Sequence, residues 1–463
     1  MSGREGARRA PVQLARQVAY VVLRAVSESD AYANLLLPRE IARAGIGGAD
    51  AALATELTYG TLRRLGTYDA IIRMAADRET ETIDPPVLDA LRLGVHQLLA
   101  TRVAPHAAVN ESVQLAREDA GPRAGGFANA VLRRVAQDDA DTWTARLADA
   151  ARSDDERLAL TASHPVWVLR ALRRALAAEG RADELDALLA ADNAAPGVTM
   201  AALPGLAEPD RERTPFSPVG FRLGGGDPEP AVRASGGRVR VQDEGSQLVA
   251  LALSRMAPIA QGERWLDLCA GPGGKTALLA AEALAGGAAL DANELVPARA
   301  GLVRRAIAPV PLDVDVHEGD GRALAHDRAG VYDRILVDAP CTGLGALRRR
   351  PEARWRKRPS DVAELADVQA ELLDAAIGAL RPGGVVAYVT CSPHLAETSA
   401  IVGAALARHA GRVTELDARA ALQSVARTPL DLSAPHTGGG HAQLWPHRHG
   451  TDAMFLALLR REA

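Results

Sequence analysis

The chain is poor in aromatic residues and almost devoid of lysine. Phe, Trp and Tyr make up 3% of its 463 residues, and of 54 basic residues only Lys275 and Lys357 are lysine. That skew, with the abundance of alanine, reflects genome composition rather than activity. Cysteine is nearly as scarce, with three residues at 269, 341 and 391. An odd, sparse count excludes a disulfide framework and fits a reducing compartment, so a cytoplasmic location is expected. No pair is spaced as CxxC and no Cys/His cluster has zinc spacing, so no metal is expected. No window approaches 18 uninterrupted apolar residues, and the charged N-terminus leads into no apolar core, so neither a membrane span nor a secretory leader is expected. Positive charge is not in excess either. The formal net charge is −4 and the sequence pI about 6.3, a total that by itself argues against a nucleic-acid binder.

At roughly 150 residues per domain, the length suggests about three domains. Residues 10–140 read as helical. Val18, Val21, Val22 and Val26 recur at helical spacing, as do Leu53, Leu57 and Leu62, and Asp84-Pro85-Pro86 opens a further helix that carries Val87, Leu88, Leu91, Leu93, Val95, Leu98 and Leu99. Residues 150–190 continue helical, with a break at His164-Pro165. Residues 204–237 contain six Pro and seven Gly, which is loop or short-strand material separating two halves of different character. From about 240 onward, short apolar strands (265–268, 288–292, 314–317, 334–338, 385–390) alternate with helices. That alternation predicts a doubly wound α/β sheet, with ligands at the carboxyl ends of its strands. The expected organisation is a helical domain over 1–148, linker helices and a small α/β subdomain over 149–238, and a catalytic domain over 239–463.

Asp267-Leu-Cys-Ala-Gly-Pro-Gly-Gly-Lys-Thr276 follows the first of these strands and opens a helix. Its glycines permit a sharp turn and close approach of a ligand to the backbone, and the helix behind it presents free N–H groups. It is not a phosphate-binding P-loop, because Cys269 stands where that motif needs Gly, and it is not Gly-x-Gly-x-x-Gly, because position 276 is Thr276. The second strand ends in Asp291-Ala-Asn-Glu294, where either acid could take ribose hydroxyls. The third ends at Asp320, placed to accept from an adenine amino group. Three successive acids of this kind point to an adenosine-bearing cofactor.

The fourth strand runs into Asp338-Ala-Pro-Cys341-Thr-Gly and the fifth into Thr390-Cys391-Ser-Pro393. A free cysteine is usually a small buried hydrophobe, but two of them just past strand ends on the ligand side suit nucleophilic chemistry. Cys269, inside the glycine loop, has a packing explanation and is assigned no chemistry. His394 reads as a surface histidine rather than a base.

These motifs resemble the S-adenosylmethionine-dependent RNA cytosine-C5 methyltransferases of the NOL1/NOP2/Sun group, and 241–249 resembles that group's entry to the catalytic domain. Glu56-Leu-Thr-Tyr-Gly-Thr-Leu-Arg63, Leu91-Arg-Leu-Gly-Val-His-Gln-Leu98 and Asn129-Ala-Val-Leu-Arg133 resemble a NusB-like domain, which points to the small-subunit ribosomal RNA methyltransferase B (RsmB/Sun/Fmu) branch. The resemblance implies an all-α NusB-like bundle before a Rossmann-like methyltransferase domain. It implies S-adenosylmethionine as cofactor, held by Cys269, Ala270, Gly271, Pro272, Gly273, Gly274, Lys275, Glu294, Asp320 and Asp338. Glu294 fits the ribose acid better than Asp291 because Arg299 follows five residues later. The resemblance further implies Cys391 as the nucleophile toward cytosine C6, Cys341 as the residue assisting product release, and Asp338 facing both cofactor and base. The implied product is 5-methylcytosine in 16S ribosomal RNA, made by a monomer. Transfer RNA as substrate, or an inert RNA-binding or antitermination factor, are the alternatives. One departure lies near the C-terminus, where Ala453 and Met454 replace the family's usual Gly and Phe.

Charge is local where the total hides it. Residues 342–360 carry seven basic side chains and one acid, a net +6 around Trp355. Arg348, Arg349, Arg350 and Trp355 are therefore expected to contact RNA, the indole by stacking. The arginines of residues 1–24 could assist.

Overall fold

A computed structural model describes residues 12–29, 31–433 and 438–463. The chain divides into two compact units. One runs to Leu169 and takes in Arg349–Trp355; the other comprises Arg170–Arg348 and Arg356–Ala463.

The first unit is all-helical. Leu14–Ser29, Ala33–Ala44, Gly48–Arg63, Leu65–Ala76, Pro85–Ala100, Pro105–Ala120 and Pro122–Val135 are followed by Ala140–Ala150 and Asp154–Ala162. Pro85, Pro105 and Pro122 each open a helix, where the missing N–H costs nothing and the fixed φ is already helical. Asp139 and Ser153 cap the next two by accepting from Thr142 N and Glu156 N. Most of the predicted stripe residues face inward: Val18, Val22, Val26, Leu57, Leu62, Leu91 and Val95 lie in one buried cluster, while Val21 is exposed.

Arg349–Trp355 is built into this unit. Arg354 is fully buried and donates to Ser163 O at 2.9 Å and Arg63 O at 3.4 Å. Glu352 accepts from Ala33 N at 3.4 Å. The Trp355 ring lies over Gly66 so closely that a Cβ there would sit 2.1 Å from it.

The second unit opens with two helices, Val166–Ala178 (entered from the first unit) and Leu185–Asn193. Then comes a small antiparallel sheet in the order β2-β1-β3, made of β1 (Thr199–Ala202), β2 (Gly220–Arg222) and β3 (Val239–Val241). Part of the glycine- and proline-rich stretch thus forms a strand, and Glu229–Ala234 is a short helix. Eight strands follow: β4 (Arg264–Asp267), β5 (Ala289–Glu294), β6 (Val314–Glu318), β7 (Tyr332–Asp338), β8 (Leu380–Thr390), β9 (Val413–Leu416), β10 (Ala442–Gln443) and β11 (Phe455–Arg461). Their order is β10-β11-β8-β7-β4-β5-β6, with β9 also on β11. β6, β5, β4, β7 and β8 are mutually parallel, and β11 is antiparallel to β8.

Both faces of this sheet are buried. In β8, Val385, Ala387 and Val389 join one apolar cluster while Val386 and Tyr388 join the other. The period-2 alternation therefore separates two cores instead of core from solvent, which explains the near-continuous apolar runs in the sequence. Ala453 and Met454 are buried at the entrance to β11, so the departure from the usual Gly and Phe is accommodated inside the core. Strand order reverses between β5 and β7 on either side of β4, and a crevice opens there beyond the strand ends.

Candidate active site

Beyond the end of β4 the chain turns through 268–273 into the helix Gly274–Gly286. Gly273 has φ +102°, and a Cβ there would lie 2.5 Å from Ala306 Cβ, so only glycine fits against the helix Pro297–Ile307. Gly271 is as constrained: a Cβ would lie 2.1 Å from Glu294 Oε2, to which Gly271 N donates at 2.9 Å. Arg299 donates to Gly271 O at 2.6 Å. Glu294 and Arg299 thus brace the loop from the end of β5.

A cleft of about 670 Å³ lies beside this loop, lined by Cys269, Glu294, Val296, Asp320, Asp338 and Leu372 among others. Asp291 is not part of it; its carboxylate accepts from Tyr332 OH at 2.7 Å and pairs with Arg264 at 3.1 Å. Asp320 caps the helix Gly321–Asp327 through Arg322 N and keeps an edge on the cleft. Hydrogen bonding from Arg322 lowers its pKa. Asn293 Nδ2 ties the loops after β4 and β6 by donating to Leu268 O and Gly319 O, both at 3.1 Å. Carboxylates at both ends of a cleft with aliphatic walls, beside a loop held open by glycine, suit a nucleoside with a cationic tail. The donor set therefore fits S-adenosylmethionine. Cys269 sits at the back, its thiol pKa raised by burial.

The two cysteines meet just past the ends of β7 and β8, next to Pro340 of the cleft wall. β7 and β8 are parallel neighbours with Asp338 opposite Val389, so the residues just past their ends converge. Cys341 Sγ lies 3.4 Å from Cys391 Sγ, and Gly345 N holds the first loop to Cys391 O at 2.8 Å. The thiols are unequal. Hydrogen bonding to Cys391, then burial, pushes the Cys341 pKa well up. The Cys391 pKa moves down through its hydrogen bond with Cys341, with the Lys275 charge adding to the effect. Cys391 is thus the sulfur that ionises first.

Lys275 is where sequence reading stopped short. Expected only in the cofactor loop, it places Nζ 2.7 Å from Asp338 Oδ2. Burial works against its ammonium charge, but Asp338 outweighs that and holds the Lys275 pKa above its ordinary value. Being one of two lysines in the chain was the available signal.

The basic run is rearranged by the fold. Arg348 is buried and pairs with Asp243 at 3.0 Å and Asp452 at 3.3 Å. Asp243 is also the N-cap of the helix Glu244–Arg255. Arg348 is therefore a buried ion-pair residue and not an RNA contact. Trp355 is half-buried against Gly66 with its indole Nε1 shielded from solvent, so one part of the ring is taken up by the helical unit. Both placements share a cause: a charged run flanking a loop was folded inward to brace it. Arg350 is exposed, its guanidinium 5.8 Å from the Tyr32 ring centroid, and Arg349 is half-buried. Near the N-terminus, Arg16 is buried against Gln97 and Glu111, and Arg24 pairs with Asp89; Arg4, Arg8 and Arg9 lie outside the described residues. His394 Nδ1 accepts from Ala396 N and caps a short turn. Among the described residues no helix is long and apolar enough to cross a membrane, and no group of three or more His, Cys, Asp or Glu could hold a metal ion.

An open α/β sheet with an acid-lined cleft at its switch point, preceded by a helical unit, defines a cofactor-dependent group-transfer enzyme. Residues 255–460 match the family described as 16S rRNA methyltransferase RsmB/F, and residues 13–137 match the NusB family. The chain is 51% identical, over 98% of both sequences, to a Mycobacterium tuberculosis protein described as a candidate methyltransferase. It is 33% identical to ribosomal RNA small subunit methyltransferase B of Pseudomonas putida, over 96% of this chain and 98% of that one. The corresponding Klebsiella pneumoniae protein is 32% identical over 86% of this chain and 90% of its own. The crystal structure of PH0851 shares the fold, with a TM-score of 0.79 at 22% identity over 98% of this chain and 99% of that one. The chain belongs to the ribosomal RNA small subunit methyltransferase B family.

Proposed function

We propose that this protein uses S-adenosylmethionine to methylate cytosine C5 in small-subunit ribosomal RNA through a covalent adduct on Cys391. The observation that carries the reading is the pair of unequal thiols 3.4 Å apart, beside the Lys275–Asp338 pair at the mouth of the cleft. The relatives' names support ribosomal RNA as the substrate, and the helical unit serves as an RNA-binding domain.

Cytosine C5 is a poor nucleophile. Addition of the Cys391 thiolate to C6 forms an S–C6 bond and moves electron density to C5 and N3. The cofactor, when bound, supplies an electrophilic methyl group on a sulfonium. Asp338 accepts from Lys275 at 2.7 Å, so the pair offers an ammonium proton to the charge gathering near N3. Attack by C5 on that methyl would form the C5–methyl bond as the methyl–sulfonium bond breaks. Loss of the C5 proton and breakage of S–C6 restore the ring, and Cys341 sits where it can assist that release. The base must be unstacked before any of this can occur.

Transfer of labelled methyl to unmodified small-subunit RNA, followed by bisulfite mapping, tests the reading. Label on uracil or adenine, or on transfer RNA alone, would overturn it.

Two further results are expected. Cys391 is lowered from the ordinary thiol value mainly by its hydrogen bond with Cys341 and, to a lesser extent, by the positive charge of Lys275, so adduct formation should rise with pH as the thiol ionises. Lys275→Met removes the favourable charge and leaves Asp338, so that rise should move to higher pH; an unchanged profile would remove Lys275 from thiolate control. In the basic run, Arg348→Gln should cost about 3–5 kcal/mol in chemical denaturation, since it strands two buried carboxylates. Arg350→Gln, at an exposed position, should change stability little and weaken RNA binding most at low salt. The reverse pattern would restore Arg348 as an RNA contact.

A further inference from the structure

Glu397 lies six residues past Cys391, in the turn Leu395–Glu397, and is fully buried. Burying a carboxylate is costly unless its oxygens are satisfied. Here no cation pairs with it among the described residues. Four neutral donors satisfy it instead, and three of them come from the residues that follow the two cysteines. Thr342 N donates to Oε1 at 2.7 Å. Thr342 Oγ1 donates to Oε2, and so does Ser392 Oγ at 2.6 Å. The fourth is Gln369 Nε2, which reaches Oε1 at 3.2 Å and also donates to Pro340 O at 2.8 Å. Tyr388 OH, on β8, donates to Glu397 O at 2.8 Å.

One carboxylate thus grips Thr342 directly and Pro340 through Gln369, on either side of Cys341, and grips Ser392 directly after Cys391. A carboxylate has about four lone-pair sites, and all are used. The thiols at 3.4 Å and the Thr342 and Ser392 hydroxyls at 3.1 Å also meet across the two loops.

Building on the covalent reading above, we infer that Glu397 is a positioning residue that holds the Cys341 loop against Cys391 so that the adduct can be resolved. Its charge is a lesser reason, after the hydrogen bond to Cys391 and burial, why the Cys341 thiol stays protonated. Without the clamp, Cys391 remains on its strand end and can still attack. Cys341 loses its register, and a displacement of about 1 Å is enough to slow a positioned step about a hundredfold.

The test uses the full chain with S-adenosylmethionine and cytosine-containing ribosomal RNA. Adduct formation and adduct lifetime are read on denaturing gels, and folding by melting temperature. Glu397→Gln keeps the shape but replaces one acceptor by a donor. Thr342→Val removes one clamp hydroxyl at constant volume, and Thr342→Ser restores it. The expected result is that Glu397→Gln and Thr342→Val form the adduct but release it about a hundredfold more slowly, while Thr342→Ser behaves as the parent. Release at the parental rate in both variants would overturn the assignment. So would loss of adduct formation in step with melting temperature in both, which would mark a purely structural role. RNA carrying 5-fluorocytosine, whose C5 substituent cannot leave as a proton, serves as the control. If even Cys341→Ala and the fluorinated RNA give no adduct, the covalent reading falls and takes the clamp with it. Trapping in those controls without trapping in Glu397→Gln removes the clamp alone.

Discussion

Cys391→Ala should abolish methyl transfer, with a loss on the order of 10⁴-fold or more, as expected when a nucleophile is deleted. The cysteine stands just past the end of β8, in a backbone fixed by Gly345 N on its carbonyl and by Thr390 Oγ1 donating to Ser392 O at 2.9 Å. Alanine keeps that backbone, so cofactor binding and melting temperature should survive and the loss should be confined to chemistry. Transfer of labelled methyl and gel-shifted adduct, measured on the same preparation, check the point. Retained transfer would assign the attack elsewhere, and Cys341, 3.4 Å away, would be the sulfur to test next.

The second large effect is of the opposite kind. Cys341→Ala should accumulate a covalent protein–RNA species, with turnover lower by about 10²-fold, the scale of a lost proton-transfer group. The variant also removes the thiol that hydrogen-bonds Cys391 and lowers its pKa. Attack should therefore need higher pH than in the parent, while the adduct, once formed, should persist. Absence of adduct at every pH, with transfer retained, would remove Cys341 from the release step. The two variants together separate attack from release: one gives no adduct, the other gives too much.

Much of this site was legible in the chain. Asp267 to Thr276, Asp338 to Cys341 and Thr390-Cys391 each pair a strand end with a turn, and strand ends on the ligand side of a parallel sheet are where the topology gathers chemistry. The cofactor loop, the acids after β5 and β6, and the two cysteines could therefore be placed from local pattern. The helical stripes of the first unit were equally readable, because each reports a buried face at period 3.6. The sequence separates Asp291 from Glu294 only through the resemblance, by Arg299 five residues after Glu294. They lie three positions apart on β5, so their side chains leave opposite faces of the strand, and the packing around each decides which carboxylate reaches the loop.

What local pattern could not reach were pairings between distant segments. Arg348 reads as part of a solvated basic run, yet Asp243 and Asp452 lie about a hundred residues away on either side and neutralise it inside the core. Trp355 reads as a stacking aromatic, yet its ring covers Gly66, nearly three hundred residues earlier. Lys275 meets Asp338 across 63 residues, and Glu397 meets Thr342 across 55. By itself the sequence determined the element types, the sheet class and the chemical groups at the strand ends, because those depend on residue periodicity and turn chemistry within a short span. The tertiary structure alone decided which charges are spent in the core, which cysteine ionises first and which carboxylate ties the two thiol loops together. Those outcomes depend on desolvation and on hydrogen-bond distances between segments that only the folded chain brings within reach.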